Sequence, residues 1–453
     1  MERPLGGRAV PSESRPEPKA LESRSCELSD VPFAAVFQVA SSDDSTPVSN
    51  WHSPGGVDIA GLGAVAALTT TGTERFRAIR SQAEAVFERL SHHGPTVARP
   101  RAVGGFAFHD QWTDTDADDP SVWDGFGDGS FVVPRVQLTR SGDRTWLTVA
   151  GPEGDVGARL ETWRSRLVNR SSDSVRADSP TIVDSTRSTD RETWMTQIER
   201  ALGDIETTPL EKVVLAQAVT NTLARPVGIE ATLSQLRRQY PDCYTFALDG
   251  IGSATFFGAP PERLVAKTDR TLRTEALAGS VPRGETSAAD DQFAAELRTS
   301  EKLDSEHRLV VEAIRSQLAS VSSSIDVGNR RIRRLATIQH LQTPITATLA
   351  GNRHVLDIVD SLHPTPAVGG VPQERACETI RSIESFDRGW YAAPVGWFDA
   401  NGDGEFAVAI RSAVTRERAV TLFAGNGIVA GSEPDVEWDE VELKLRPILE
   451  ALG

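Results

Sequence analysis

Lys212 is one of only five lysines in a chain of 453 residues that otherwise carries its positive charge on arginine. The others are Lys19, Lys267, Lys302 and Lys444. Arginine stays protonated at any working pH, whereas a lysine in a dry pocket can lose its proton and serve as a base. The run Leu210-Glu-Lys-Val-Val-Leu-Ala-Gln reads as a strand carrying that amine into a site, and the competing reading is a buried lysine with no role. Two other lysines keep carboxylates at helical spacing. Glu306 lies one helical turn after Lys302, and Glu437, Glu440 and Lys444 stand at i, i+3 and i+7, while Val441, Leu445 and Ile448 line another face. On spacing alone such faces read equally well as solvated, salt-bridged helix surface, because an exposed ion pair is worth roughly 0 to 1 kcal/mol.

The elements that must position these residues are visible in the periodicity. Phe76, Ile79, Ala83, Val86, Phe87 and Leu90 recur at helical spacing and predict an amphipathic helix over 74–91. Strand-like runs follow at 104–108, 131–138 and 146–150, and the Ser/Asp-rich stretch 169–187 reads as a linker or surface excursion. Thr189 to Glu192 resembles a capping box ahead of Trp194, Ile198, Leu202 and Ile205. Strands are expected at 210–222, 243–249, 253–258, 262–268 and 271–276, one long helix over 290–321, a meander at 390–398, 406–414 and 419–423, and a closing helix over 435–452. Mostly antiparallel strands with grouped helices define an α+β class. Residues 1–28 have almost no large apolar side chains and are expected to form a disordered tail. Residues 29–185 would then be the first part of the fold, and 186–453 the part that carries the chemistry.

Composition narrows the partners. With 39% apolar residues the chain can bury a large core, and its net charge of -16 argues against nucleic acid and against an anionic membrane surface. The acidic excess and scarcity of lysine match the bias of salt-adapted archaea. Cys26, Cys243 and Cys377 have no paired spacing, so neither a disulfide framework nor a zinc site is implied, and no apolar run reaches membrane-spanning length. A cytoplasmic protein, monomeric or weakly dimeric, is the expectation.

The sequence resembles the chorismate-utilising enzymes, whose branches include isochorismate, salicylate and anthranilate synthases. The motifs appear in family order from about residue 190 onward: Glu211-Lys-Val-Val-Leu-Ala, Pro261-Glu-Arg-Leu, Glu275-Ala-Leu-Ala-Gly-Ser, Ser300-Glu-Lys-Leu-Asp-Ser-Glu-His, His363-Pro-Thr-Pro-Ala, Ala409-Ile-Arg, and the run from Phe423 to Lys444. Before residue 190 only Gly104-Gly-Phe-Ala-Phe matches well. The resemblance implies two layered antiparallel sheets flanked by helices. It implies chorismate as substrate and Mg²⁺ on Glu306 and Glu440, with Glu437 reaching the ion through water. It makes Lys212 the general base and Glu262 the general acid, and places Gly279, Ser280, Thr365, Tyr391, Arg411, Gly425, Gly427 and Lys444 at the substrate. Arg411 suits a carboxylate, and the glycines let backbone N–H groups approach it.

Two positions separate the branches. Lys212 stands where isochorismate synthases have their base and anthranilate synthases carry glutamine, while Ala278 stands where aminodeoxychorismate synthases place a nucleophilic lysine. Water is therefore the expected nucleophile, isochorismate the expected product, and no glutamine amidotransferase partner is needed. Salicylate synthase is the nearest alternative, followed by anthranilate synthase and a non-catalytic chorismate-binding relative. Leu303 departs from the acidic residue many relatives carry after the lysine. Asp399-Ala-Asn-Gly-Asp-Gly imitates a calcium loop, but Ile410 occupies the position of its final glutamate, so a hairpin turn is expected.

Overall fold

A computed structural model of the chain describes residues 20–29, 47–110, 121–168, 180–250, 252, 254–335 and 338–452. Within them, strands join into one hydrogen-bonded ladder that is antiparallel throughout except where Leu21–Leu28 runs parallel to Leu90–His93. One arm starts from Ile338–Leu349 and passes through Thr271–Pro282, Arg263–Thr268, Gly404–Val408, Pro394–Asp399 and Arg101–Phe106 to Gly129–Ser141. The other returns through Val57–Thr70, Val48–His52, Thr245–Asp249, Ala254–Gly258, Ser412–Arg416 and Ala419–Val429 to Lys212–Leu223. The arms share one apolar core. Phe131 of the joining strand meets Phe398 and Phe406 of the first arm, and Phe256 of the second packs between Phe246 and Trp390. Helices flank this core, as expected for the α+β class.

Several local expectations are corrected by non-local contacts. The expected tail does not extend to residue 28: Leu21–Leu28 is a strand held by Leu90–His93 on one side and Arg144–Pro152 on the other, and residues 1–19 lie outside the described residues. Neighbouring strands supply the apolar partners that its own composition lacks, with Leu28 packing among Leu138, Leu147 and Val149. In the expected linker, Ile182–Arg187 is an exposed strand paired with Lys212–Leu223, and residues 169–179 lie outside the described ones. The following helix, Arg191–Thr207, is capped by Asp190, whose carboxylate accepts from the Thr193 N–H at 2.8 Å, instead of by a box starting at Thr189.

The helix expected over 290–321 is two helices, Ser287–Thr299 and Glu301–Ala319, meeting at Ser300. Ser300 has extended backbone (φ -69°, ψ 115°); it ends the first helix and caps the second by accepting from the Leu303 N–H at 3.3 Å. Serine can bond locally in place of continuing a helix, and apolar periodicity does not register such a joint. The meander strand expected over 406–414 is likewise broken between Val408 and Ser412, where Arg411 takes φ +51°. The imitation calcium loop is a hairpin turn: the Asp399 carboxylate accepts from the N–H groups of Asn401 and Asp403, and Asp403 binds the ammonium of buried Lys267 at 2.6 Å.

Candidate active site

The strand Lys212–Leu223 pairs along its whole length with Ala419–Val429, Lys212 opposite Val429, Val214 opposite Gly427 and Ala216 opposite Gly425. Side chains alternate across a strand, so Lys212, Val214, Gly425, Gly427 and Val429 share one face, and all five line a cavity of about 440 Å³. Lys212 is 2% exposed, and its ammonium donates to Glu306 Oε1 at 2.8 Å. Gly427 creates the room for this: a Cβ there would sit 2.7 Å from Lys212 Cε. Gly427 was expected for access to its own N–H; the space it leaves to the lysine side chain is a feature the sequence did not disclose.

Among the described residues, the opposite edge of the lysine strand meets other strands only at its ends, at Lys212–Val213 and beyond Ala218. A buried ion pair fills part of the gap. Arg388 donates to Glu384, to Val214 O at 2.6 Å and to Val368 O at 3.0 Å, while Glu384 accepts from the Ala216 N–H at 2.8 Å. These bonds satisfy backbone groups that a neighbouring strand would otherwise take.

A second wall comes from Thr271–Pro282. Its pairing with Ile338–Leu349 shifts register between Ala278 and Ser280, a bulge in which Gly279 adopts φ +73°. The bulge turns Ala278, Gly279 and Ser280 all toward the cavity. Ser280 Oγ bonds His340 Nδ1 at 2.8 Å, and His307 stands behind the wall, bonded to Thr343 Oγ1 at 2.8 Å. Burial, reinforced by Arg411 and Lys444, drives His340 well below the ordinary imidazole range, so it lines the site uncharged.

Glu262 precedes the strand Arg263–Thr268 and is 3% exposed on the cavity wall. Burial, with the Glu275 carboxylate adding to it, pushes its pKa up to about 8 against the opposing charge of Lys212. It is a carboxylic acid at neutral pH and can donate a proton. Glu306 goes the other way: burial alone would raise it, but the Lys212 ammonium brings it below the usual range, so it is ionised.

The two helices expected to present carboxylates do so. Glu306 and Lys302 come from Glu301–Ala319, and Glu437, Glu440 and Lys444 from the closing helix Pro434–Leu452. Lys444 Nζ donates to Glu440 at 2.9 Å, Gly425 O at 3.0 Å and Asn426 Oδ1 at 2.6 Å. Its three N–H bonds are therefore matched by three acceptors, and it ties the helix to the glycine strand; direct contact with a ligand requires one of them to be given up. Tyr391, stacked on Phe423, and Arg411 complete the wall. Arg411 is half-buried, and its buried Nη1 has no protein hydrogen-bond acceptor among the described residues, a donor suited to an anion in the cavity.

Of the residues expected at the site, only Thr365 is off the cavity wall. It is buried beside Glu262, and Ala367 reaches the wall instead. Lys302, Ser432, His340 and Glu296 also line the cavity and were not picked out as site residues, although the first two lie in motifs already noted. Glu306, Glu437 and Glu440 supply the hard oxygen donors Mg²⁺ prefers, so the donor chemistry fits. Burial raises Glu437, and the adjoining Glu440 adds to that, a mutual repulsion that a cation would relieve. Among the described residues no three such side chains are gathered into a preassembled metal cluster.

The chain belongs to the family of chorismate binding enzymes, whose sequence model matches residues 9–453. It is 36% identical over 418 residues to the isochorismate synthase MenF of Bacillus subtilis, covering 89% of this chain and 87% of that protein. It is 37% identical over 421 residues to the salicylate biosynthesis isochorismate synthase of Pseudomonas aeruginosa, covering 91% and 86% respectively. The solved structure of MenF, the menaquinone-specific isochorismate synthase from Escherichia coli, superposes with a TM-score of 0.81 at 27% identity, covering 96% of this chain and 95% of that one. These matches extend through the first third of the chain, where motifs alone showed little.

Proposed function

We propose that the chain is an isochorismate synthase that isomerises chorismate by adding water at C2 and releasing the C4 hydroxyl. The observation that carries this reading is a base candidate and a protonated acid on one cavity: Lys212, and Glu262 with its pKa at about 8. In its amine form Lys212 takes the proton of the attacking water, and the Glu306 carboxylate, 2.8 Å from its nitrogen, stabilises the ammonium that results. Glu262 delivers its proton to the departing C4 oxygen, and the ring double bonds shift between the two carbons, so that no atom is gained or lost overall. Arg411 holds a substrate carboxylate with its unmatched nitrogen. Mg²⁺, held by Glu306 and Glu440 with Glu437 nearby, would supply positive charge to the other carboxylate and offset the repulsion between an acidic protein and a dianion. Ala278, with no amine to offer, leaves water as the nucleophile.

The test is product analysis of purified chain with chorismate and Mg²⁺, with and without ammonium. Isochorismate is expected in both cases. Salicylate as the main product would assign the pyruvate-eliminating branch, and anthranilate with ammonium would overturn the branch altogether.

A further inference from the structure

His307 follows Glu306 on the helix Glu301–Ala319 but is 2% exposed and does not line the catalytic cavity. Its ring instead spans the two strands of the wall behind that cavity. Nδ1 lies 3.3 Å from Ala278 O, and Nε2 lies 2.8 Å from Thr343 Oγ1 on the strand paired with it. Ala278 is the residue at which the register shifts into the bulge of Gly279 and Ser280, so this imidazole grips the wall where the ladder is interrupted.

A carbonyl oxygen can only accept, which places a proton on Nδ1; the Thr343 hydroxyl can serve Nε2 as donor or acceptor. The helix approaches the bulge one turn earlier too, since a Cβ on Gly279 would lie 3.4 Å from Leu303 O and 3.5 Å from Leu303 Cβ. That approach is van der Waals contact and fixes no angle, whereas the His307 bonds are directional. Successive residues of a helix point about 100° apart, so a helix held on the wall by His307 keeps Glu306 turned to the cavity, where it meets Lys212 at 2.8 Å.

We infer that His307 is a positioning residue: through its Nδ1–H bond to Ala278 O it locks the helix that carries Glu306 onto the bulged wall. In the full-length chain labelled with nitrogen-15 on histidine, the long-range proton–nitrogen spectrum should show a protonated Nδ1 for the signal that disappears in His307→Asn. An asparagine amide can take the place of Nδ1 and a glutamine amide that of Nε2, so the two variants separate the two bonds. His307→Asn should keep turnover and Mg²⁺ affinity within about threefold, whereas His307→Gln should lower kcat and weaken Mg²⁺ binding roughly tenfold or more, the scale for a group that orients a metal ligand. Circular dichroism and KM should change little in either, and His307→Leu should behave as His307→Gln does. An unprotonated Nδ1, equal losses in the Asn and Gln variants, or undiminished Mg²⁺ affinity in the Gln and Leu variants would each overturn the assignment. The rate and Mg²⁺ measurements rest on the function proposed above, and the spectrum does not. An unaltered chain without turnover or Mg²⁺ binding would overturn that function, and the spectrum would still decide the bond.

Discussion

At the scale of single residues, the site depends on the Lys212 amine and on the Glu262 carboxyl, which burial and Glu275 keep protonated. Lys212→Ala should lower kcat by at least about 10²-fold, the lower end for loss of a general base or acid. Lys212→Arg should not restore it, since guanidinium cannot be deprotonated near neutrality; a near-normal rate in that variant would exclude the base role. For Glu262 the protonated form is the working one, so kcat/KM should decline as pH rises through about 8. Glu275 accepts from the Arg263 N–H at 3.3 Å, next in sequence to Glu262, and is one of the charges that keep Glu262 protonated. Glu275→Gln should therefore move the alkaline limb of the pH–rate profile to lower pH, and an unmoved limb would show that burial alone sets it. Because the folded-state pKa of Glu262 lies above its ordinary value of 4.5, folding takes up a proton between 4.5 and about 8, and stability falls as pH rises through that window. Glu262→Gln should remove this slope from the pH dependence of Tm.

At the scale of elements, the carboxylates reach the cavity because two helices are aimed at it. Ser300 starts the helix that carries Glu306, and Ser300→Ala should cost about 1 kcal/mol by loss of the cap, read as a lower urea midpoint with unchanged slope. No change in midpoint would mean the joint is held by packing alone. Glu306 and Glu440 stand on separate helices, so Glu306→Ala and Glu440→Ala should each abolish Mg²⁺-dependent turnover and weaken Mg²⁺ binding measured by titration, with the fold retained. Full activity of either variant, or of the unaltered chain in excess chelator, would remove the metal assignment. The bulge at Gly279 and the Glu384–Arg388 pair do comparable work on the strands, one re-aiming a wall and the other holding the lysine strand where, among the described residues, no strand pairs with that edge.

At the scale of the whole molecule, 64 acidic residues against 48 basic ones repel one another and a dianionic substrate alike. Salt screens this repulsion over distances beyond about 10 Å at 0.1 M, while surface ion pairs that salt also weakens contribute little. The buried pairs Glu384–Arg388 and Asp403–Lys267 lie largely beyond its reach. Thermal stability and kcat/KM should both rise on going from dilute buffer to molar KCl. Highest activity without salt would show that local cations at the site already outweigh the global charge, and would remove the inference of a salt-adapted source.

What the sequence determined by itself was local or periodic. The alternation around Lys212, the i, i+3, i+7 spacing of Glu437, Glu440 and Lys444, and the motif order together brought the strand, the two helices and nearly the whole cavity wall within reach, because side-chain direction follows directly from helix and strand period. What only the tertiary structure decided were features set by partners distant in the chain. Leu21–Leu28 becomes a strand because Leu90–His93 and Arg144–Pro152 flank it, and Gly427 matters for the space it leaves to Lys212. Thr365 stays behind Glu262 while Ala367 reaches the cavity, and Glu262 keeps its proton because burial and Glu275 meet there. Periodicity carries the direction of a side chain; what that side chain meets depends on contacts between segments that no local pattern encodes.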